Sequence, residues 1–197
     1  MTPDILLALL SFALVSSITP GPNNVMLTAS GANFGVLRTV PHMLGIGLGL
    51  VVMILMVGLG LMGLFDLWPM SYTLLKAASV AYLVWLAWKI ANAAAPDAPG
   101  ARARPMTALQ AALFQWVNPK AWTMALTAIT LYAPGRGTAA IALVALAFGL
   151  VCLPSVAVWT LLGREMRRWL NSPARLRAFN WTMAALLLAS LWPVVRG

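Results

Sequence analysis

Six long apolar runs follow one another along the chain, at residues 5–27, 43–65, 72–88, 109–132, 139–162 and 179–195. A helix needs about 20 apolar residues to cross the hydrocarbon core of a bilayer. Only helices and closed barrels can satisfy their backbone in lipid, and runs this long predict helices. The expected fold is therefore an all-α integral membrane protein with six transmembrane helices. The leader Met1-Thr2-Pro3-Asp4 carries an acid and no positive side chain, unlike a secretory signal, so the first run is expected to remain as a helix.

Between the third and fourth runs lies the one long Pro/Ala-rich connection, residues 93–105. It divides a single transmembrane domain, 1–197, into halves at 1–92 and 106–197. With three spans in each, the second half must cross in the opposite sense to the first. If the halves share a fold, they form an inverted repeat of the kind found in secondary transporters.

Composition agrees with burial in lipid. Hydrophobic residues make up 61% of the chain and charged ones 9%, against about 25% charged in soluble domains. The mean hydropathy is +0.87. A soluble domain, a disordered chain and a disulfide scaffold are excluded. The net charge of +9 fits topology better than nucleic-acid binding, because basic loops stay cytoplasmic. Nine basic residues, Arg38, Lys89, Arg102, Arg104, Arg164, Arg167, Arg168, Arg175 and Arg177, fall in or beside the odd-numbered connections. The opposite side has at most Lys76, Arg136 and Arg196. Both termini are thus expected outside. The 164–177 segment suits anionic membrane lipid. Cys152 is the only cysteine, which rules out an intramolecular disulfide or a thiol relay.

The richest stretch is Thr19-Pro20-Gly21-Pro22-Asn23-Asn24, inside the first run. A proline lacks an N–H and clashes with the carbonyl four residues back. Pro20 and Pro22 should free the carbonyls of Ser16 and Ile18, and Gly21 loosens the backbone between them. Something polar must reach those acceptors in lipid. A helix restarting near Asn23 would present free N–H groups and a positive dipole end. Freed carbonyls suit an ammonium and a helix N-terminus suits a carboxylate, so the pair suits a zwitterion such as an amino acid.

Asn118-Pro119-Lys120 is the counterpart in the fourth run. Lys120 lies roughly 15–18 Å into that run at 1.5 Å per residue, where a charge costs at least ~2.5 kcal/mol and marks a pathway or a partner. Two broken helices, one in each half, are the pattern expected around a transport site. A kink that serves packing alone is the plainer alternative.

These motifs resemble those of the LysE/RhtB amino-acid exporters. Thr19-Pro20-Gly21-Pro22-Asn23-Asn24 is similar to the first-span signature of that family, Ala81-Tyr82-Leu83 to its third-span motif, and Asn118-Pro119-Lys120-Ala121 to its fourth-span motif. The stretch from Tyr82 to Ala91, with the Met1-Thr2-Pro3 start, looks most like the cysteine/O-acetylserine exporter branch. The resemblance implies a multi-pass protein of the bacterial inner membrane. It would export an amino acid or derivative (cysteine/O-acetylserine-like, homoserine/threonine or another small zwitterion) with protons as the driving ion and without a cofactor.

The expected substrate site comprises Pro20, Gly21, Pro22, Asn23, Asn24, Asn118, Pro119 and Lys120, with Tyr82 either lining it or packing. Lys120 would pair with the substrate carboxylate and the freed carbonyls with its ammonium. Proton coupling has three candidate routes: Asp66 at the end of span two, Lys120 itself, or the substrate's own charge. His42 is expected at the inner mouth of span two, and the Gly45/Gly49 pair should let that helix pack closely on another. The rivals are a passive pore, a metal-ion exporter, and a subunit of a larger complex. Metal transport wants carboxylate, His or Cys ligands within the spans, and none cluster there. An intramembrane hydrolase would need a nucleophile beside a base, and no such motif occurs. A homo-oligomer stays open.

Overall fold

The computed structural model describes residues 2–61, 63, 67–68, 70–93, 104–133, 135 and 137–192. Its helices are α1 (Pro3–Ile18), α2 (Pro22–Phe34), α3 (Val36–Met56), α4 (Met70–Ala91), α5 (Ala108–Phe114), α6 (Pro119–Tyr132), α7 (Thr138–Met166) and α8 (Pro173–Ala189). No strand occurs among the described residues. Helices 36–61, 70–91 and 138–169 are each long and apolar enough to cross a membrane. A fourth span is added if α1 and α2, bent by 56°, count as one. Asp66, the proton-entry candidate, lies outside the described residues.

Local chemistry sets several of the ends. Thr2 caps α1, and Pro3 opens it. Thr107 and Gln110 form a reciprocal capping box at the start of α5, satisfying two N–H groups at once. Ser172 caps α8 ahead of Pro173. Between α2 and α3 the chain turns on one residue, Gly35, at φ 77°. Only glycine adopts that region without a steric cost.

The pattern of runs placed a loop between residues 27 and 43. Instead, α2 runs on to Phe34 and α3 starts at Val36, with Pro41 inside it. The reason is burial on every side: all residues from Asn24 to Asn33 are buried. Small polar side chains there pair within the protein rather than face lipid. Ser30 bonds Thr39 at 2.8 Å, and Asn33 donates to Asn180 at 3.1 Å.

Because α2 is enclosed, the core lies on both of its flanks. Leu27 joins a cluster with α1, α3, α6 and α7 around Phe148 and Met53. Val25, Met26, Ala29 and Ala32 join a second with α4 and α8 around Leu83 and Leu187. The crossing of α2 with α7 is main chain on main chain. A Cβ on Gly31 would meet the carbonyl of Thr160, and one on Gly163 the carbonyl of Thr28. Gly45 and Gly49 bring α3 as close to Ala108 and Ala112 of α5. The partner of that glycine pair is therefore in the same chain.

Trp68, Trp85, Trp88, Trp169 and Trp192, expected at the membrane boundary, are all exposed. Lys89 lies 4.7 Å from the ring centre of Trp85.

Gly31→Ala or Gly163→Ala should each destabilise the protein by about 1–3 kcal/mol, as overpacked sites do. Gly137→Ala, with nothing within 4 Å of the added carbon but at the N-cap of α7, where glycine is preferred to alanine, should cost less than either. Thermal unfolding in detergent distinguishes them.

Candidate functional site

The site begins at the break that Pro20 and Pro22 make in the first run; of the two carbonyls they are expected to free, Ile18 O takes a donor from another helix. Helix α1 ends at Ile18, the backbone runs extended through Thr19 and Gly21, and α2 starts at Pro22. No side chain caps α2. Four carbonyls at this break find partners from elsewhere. The Asn24 amide donates to Ser17 O at 2.9 Å and to Thr19 O at 2.8 Å. The Trp159 indole donates to Ile18 O at 3.0 Å. Lys120 Nζ donates to Thr19 O, and to Pro20 O at 3.4 Å.

The second break has the same origin. The residue before a proline is pushed away from helical geometry, and Asn118 sits at φ −93°, ψ 107°. Its side chain accepts from the Lys120 N–H at 3.2 Å and so caps α6. The Gln115 carbonyl accepts from Asn118 N at 3.2 Å.

An amide pair ties one break to the other. Asn23 Nδ2 donates to Gln115 Oε1 at 2.8 Å, and Gln115 Nε2 donates back to Asn23 Oδ1 at 3.3 Å. Gln115 is fully buried, and its Nε2 also reaches Ala111 O at 2.8 Å.

Both breaks open on one cavity. Its polar wall carries Ser16, Ser17, Asn23, Asn24, Gln115, Asn118 and Lys120, and its apolar wall Ile46, Leu50, Met124 and Val156, with Cys152 beside them. The volume, about 30 Å³, holds about two waters at roughly 10–15 Å³ each, and not an amino acid. Among the described residues, Ser17 Oγ is buried there without a hydrogen-bond partner. Among the described residues, no carboxylate lines the cavity and no group of three His, Cys, Asp or Glu could hold a metal ion.

The sequence-predicted residues divide as follows. Gly21, Asn23, Asn24, Asn118 and Lys120 line the cavity. Pro20 contributes a carbonyl, while Pro22 and Pro119 start the two helices. Tyr82 packs at 5.3 Å from Trp85 and 5.7 Å from Phe114, ring centre to ring centre, and is not among the lining residues. His42, expected at the membrane mouth, is 1% exposed, and among the described residues neither ring nitrogen is bonded.

Gln115, Trp159 and Ser17 are additions. Gln115 was findable as an uncharged polar residue in an apolar run just before Asn118. A tryptophan gives no comparable signal, because the same residue type serves lipid boundaries.

Two broken helices thus meet at a cavity with one polar and one apolar wall, an arrangement that suits a membrane translocator. Residues 14–190 match the LysE type translocators, and the chain belongs to that family. It is 30% identical over 198 residues to the cysteine/O-acetylserine efflux proteins of Escherichia coli strain K12 and of Shigella flexneri. These alignments cover 95% of this chain and 96% of each relative. No solved structure is a significant match.

Gln115→Leu removes the shared partner of Asn23 and Asn118. An unpaired buried amide costs about 1–3 kcal/mol, so this variant should unfold at a lower temperature in detergent than the parent chain.

Proposed function

We propose that the chain is a secondary active exporter of small zwitterions, in particular cysteine, O-acetylserine or closely similar amino acids. The observation that carries this reading is the meeting of the two helix breaks, through Lys120 on the Thr19 and Pro20 carbonyls and through the Asn23–Gln115 pair. That its relatives are cysteine/O-acetylserine efflux proteins supports the substrate class.

In this reading α1–α2, α3, α4, α5–α6, α7 and α8 are six spans, arranged as two inverted halves joined by residues 93–105. The packing is consistent with that exchange. Helix α1 packs on α7 as α5 packs on α3, while α3 meets α7 and α4 meets α8. The halves would form one transport domain in the bacterial inner membrane, with both termini outside and the 164–177 arginines against anionic lipid.

The substrate lies between the breaks. Its ammonium takes the freed carbonyls, while Lys120, with Asn23, Asn24 and Asn118 nearby, meets its carboxylate. The carbonyls act as preorganised dipoles that a cation meets once Lys120 has moved off them. Protons drive export, with Asp66 as the candidate for their entry.

Cells loaded with labelled cysteine, O-acetylserine, threonine, leucine and lysine test this. Protonophore-sensitive loss of cysteine or O-acetylserine is expected from cells making the chain. Lys120→Ala should abolish it at an unchanged level in the membrane. Wild-type export from Lys120→Ala would overturn the site. Equal retention of all five amino acids with and without the chain would overturn the exporter reading.

A further inference from the structure

The Lys120 side chain ends in the same chemical group as the substrate's amino end, a primary ammonium with three N–H donors. It lies on the Thr19 and Pro20 carbonyls, where the substrate ammonium belongs. Resting on the proposed site, we infer that Lys120 is a tethered competitor for that ammonium, and that it makes the site select zwitterions over plain amines.

Gly21 supports the lodged position. Its φ of −175° is extended backbone open to any residue, so conformation does not call for glycine here. Space does. A Cβ at Gly21 would lie 2.6 Å from Lys120 Cδ and 3.2 Å from Nζ. The lysine stem crosses the break where a side chain would otherwise stand.

The cavity's charge content supplies the selectivity. When a ligand ammonium takes the carbonyls, the lysine must leave them. Among the described residues no carboxylate lines the cavity to receive it. Lys120 is half-buried, and a half-buried charge is held less favourably alone than paired. A zwitterion brings the missing anion, so the exchange ends with the ligand ammonium on the carbonyls and Lys120 on the ligand carboxylate. A plain amine takes the carbonyls and leaves the lysine with nothing. Lys120 lines the cavity of about 30 Å³, so in this inference entry of a ligand and departure of the side chain are one event.

L-Cysteine and cysteamine, which differ only by the carboxylate, separate the cases on purified protein in detergent by isothermal titration calorimetry under reducing conditions. The wild type should bind cysteine and discriminate against cysteamine. Lys120→Met should bind cysteamine more tightly than the wild type by roughly tenfold, the gain expected if the lodged lysine leaves about a tenth of molecules open, and should bind cysteine more weakly. Gly21→Ala pushes the lysine off its carbonyls but keeps it as a carboxylate partner. It should gain cysteamine affinity, and it carries the test if Lys120→Met does not fold. Cysteamine binding no tighter in these variants than in the wild type would overturn the inference. Failure of the exporter reading would appear separately, as absent efflux from cells, because the gain in amine binding requires no transport.

Discussion

In lipid, a carbonyl without a donor has no water to turn to, and the break between α1 and α2 creates several such carbonyls at once. Much of the surrounding architecture can be traced to how they are satisfied. Trp159 must lie where its indole reaches Ile18 O, which fixes the height of α7 against α1. Asn24 must fold back over the first turn of its own helix to reach Ser17 O and Thr19 O. Lys120 must come from the far break to complete the set. Each donor is drawn from a different helix, so the break acts as a junction rather than a defect.

The second break repeats the logic with different means. There the Asn118 side chain caps the new helix and an adjacent backbone N–H takes the Gln115 carbonyl, so the site is less demanding of its neighbours. Its polar surplus, the Gln115 amide, is turned toward Asn23. Lys120 of one break completes the carbonyls of the other, and the Asn23 and Gln115 amides donate to each other. That complementarity gives a physical reason for the two motifs to meet across more than 90 residues of chain.

Proline made the breaks legible in the sequence, since its missing N–H is a local property of Pro20, Pro22 and Pro119. The apolar runs likewise located the helices 70–91, 108–132 and 138–166 to within a few residues. What could not be read was tertiary in origin. Residues 28–34 look like a loop because Thr28, Ser30 and Asn33 are polar, and only their enclosure by α7, α3 and α8 makes them helix. Lys120 was visible as a deep charge, yet its occupancy of the Thr19 and Pro20 carbonyls depends on a distance between helices that no spacing encodes. Tyr82 shows the converse: a motif position whose ring sits among Trp85 and Phe114. His42 was assigned to the boundary by its place in the run, and packing around α3 encloses it.

The interlock of Gly31 with Thr160 and Gly163 with Thr28 bears on how such a molecule can move. Where side chains separate two helices, a change of rotamer can absorb a small slide between them. Where main chain rests on main chain, nothing is left to rotate. Helices α2 and α7 therefore meet on a surface that a change of rotamer cannot adjust. At the break the case is the opposite: the long side chain of Lys120, rather than main chain, fills the space beside Gly21, and it can turn without moving a helix.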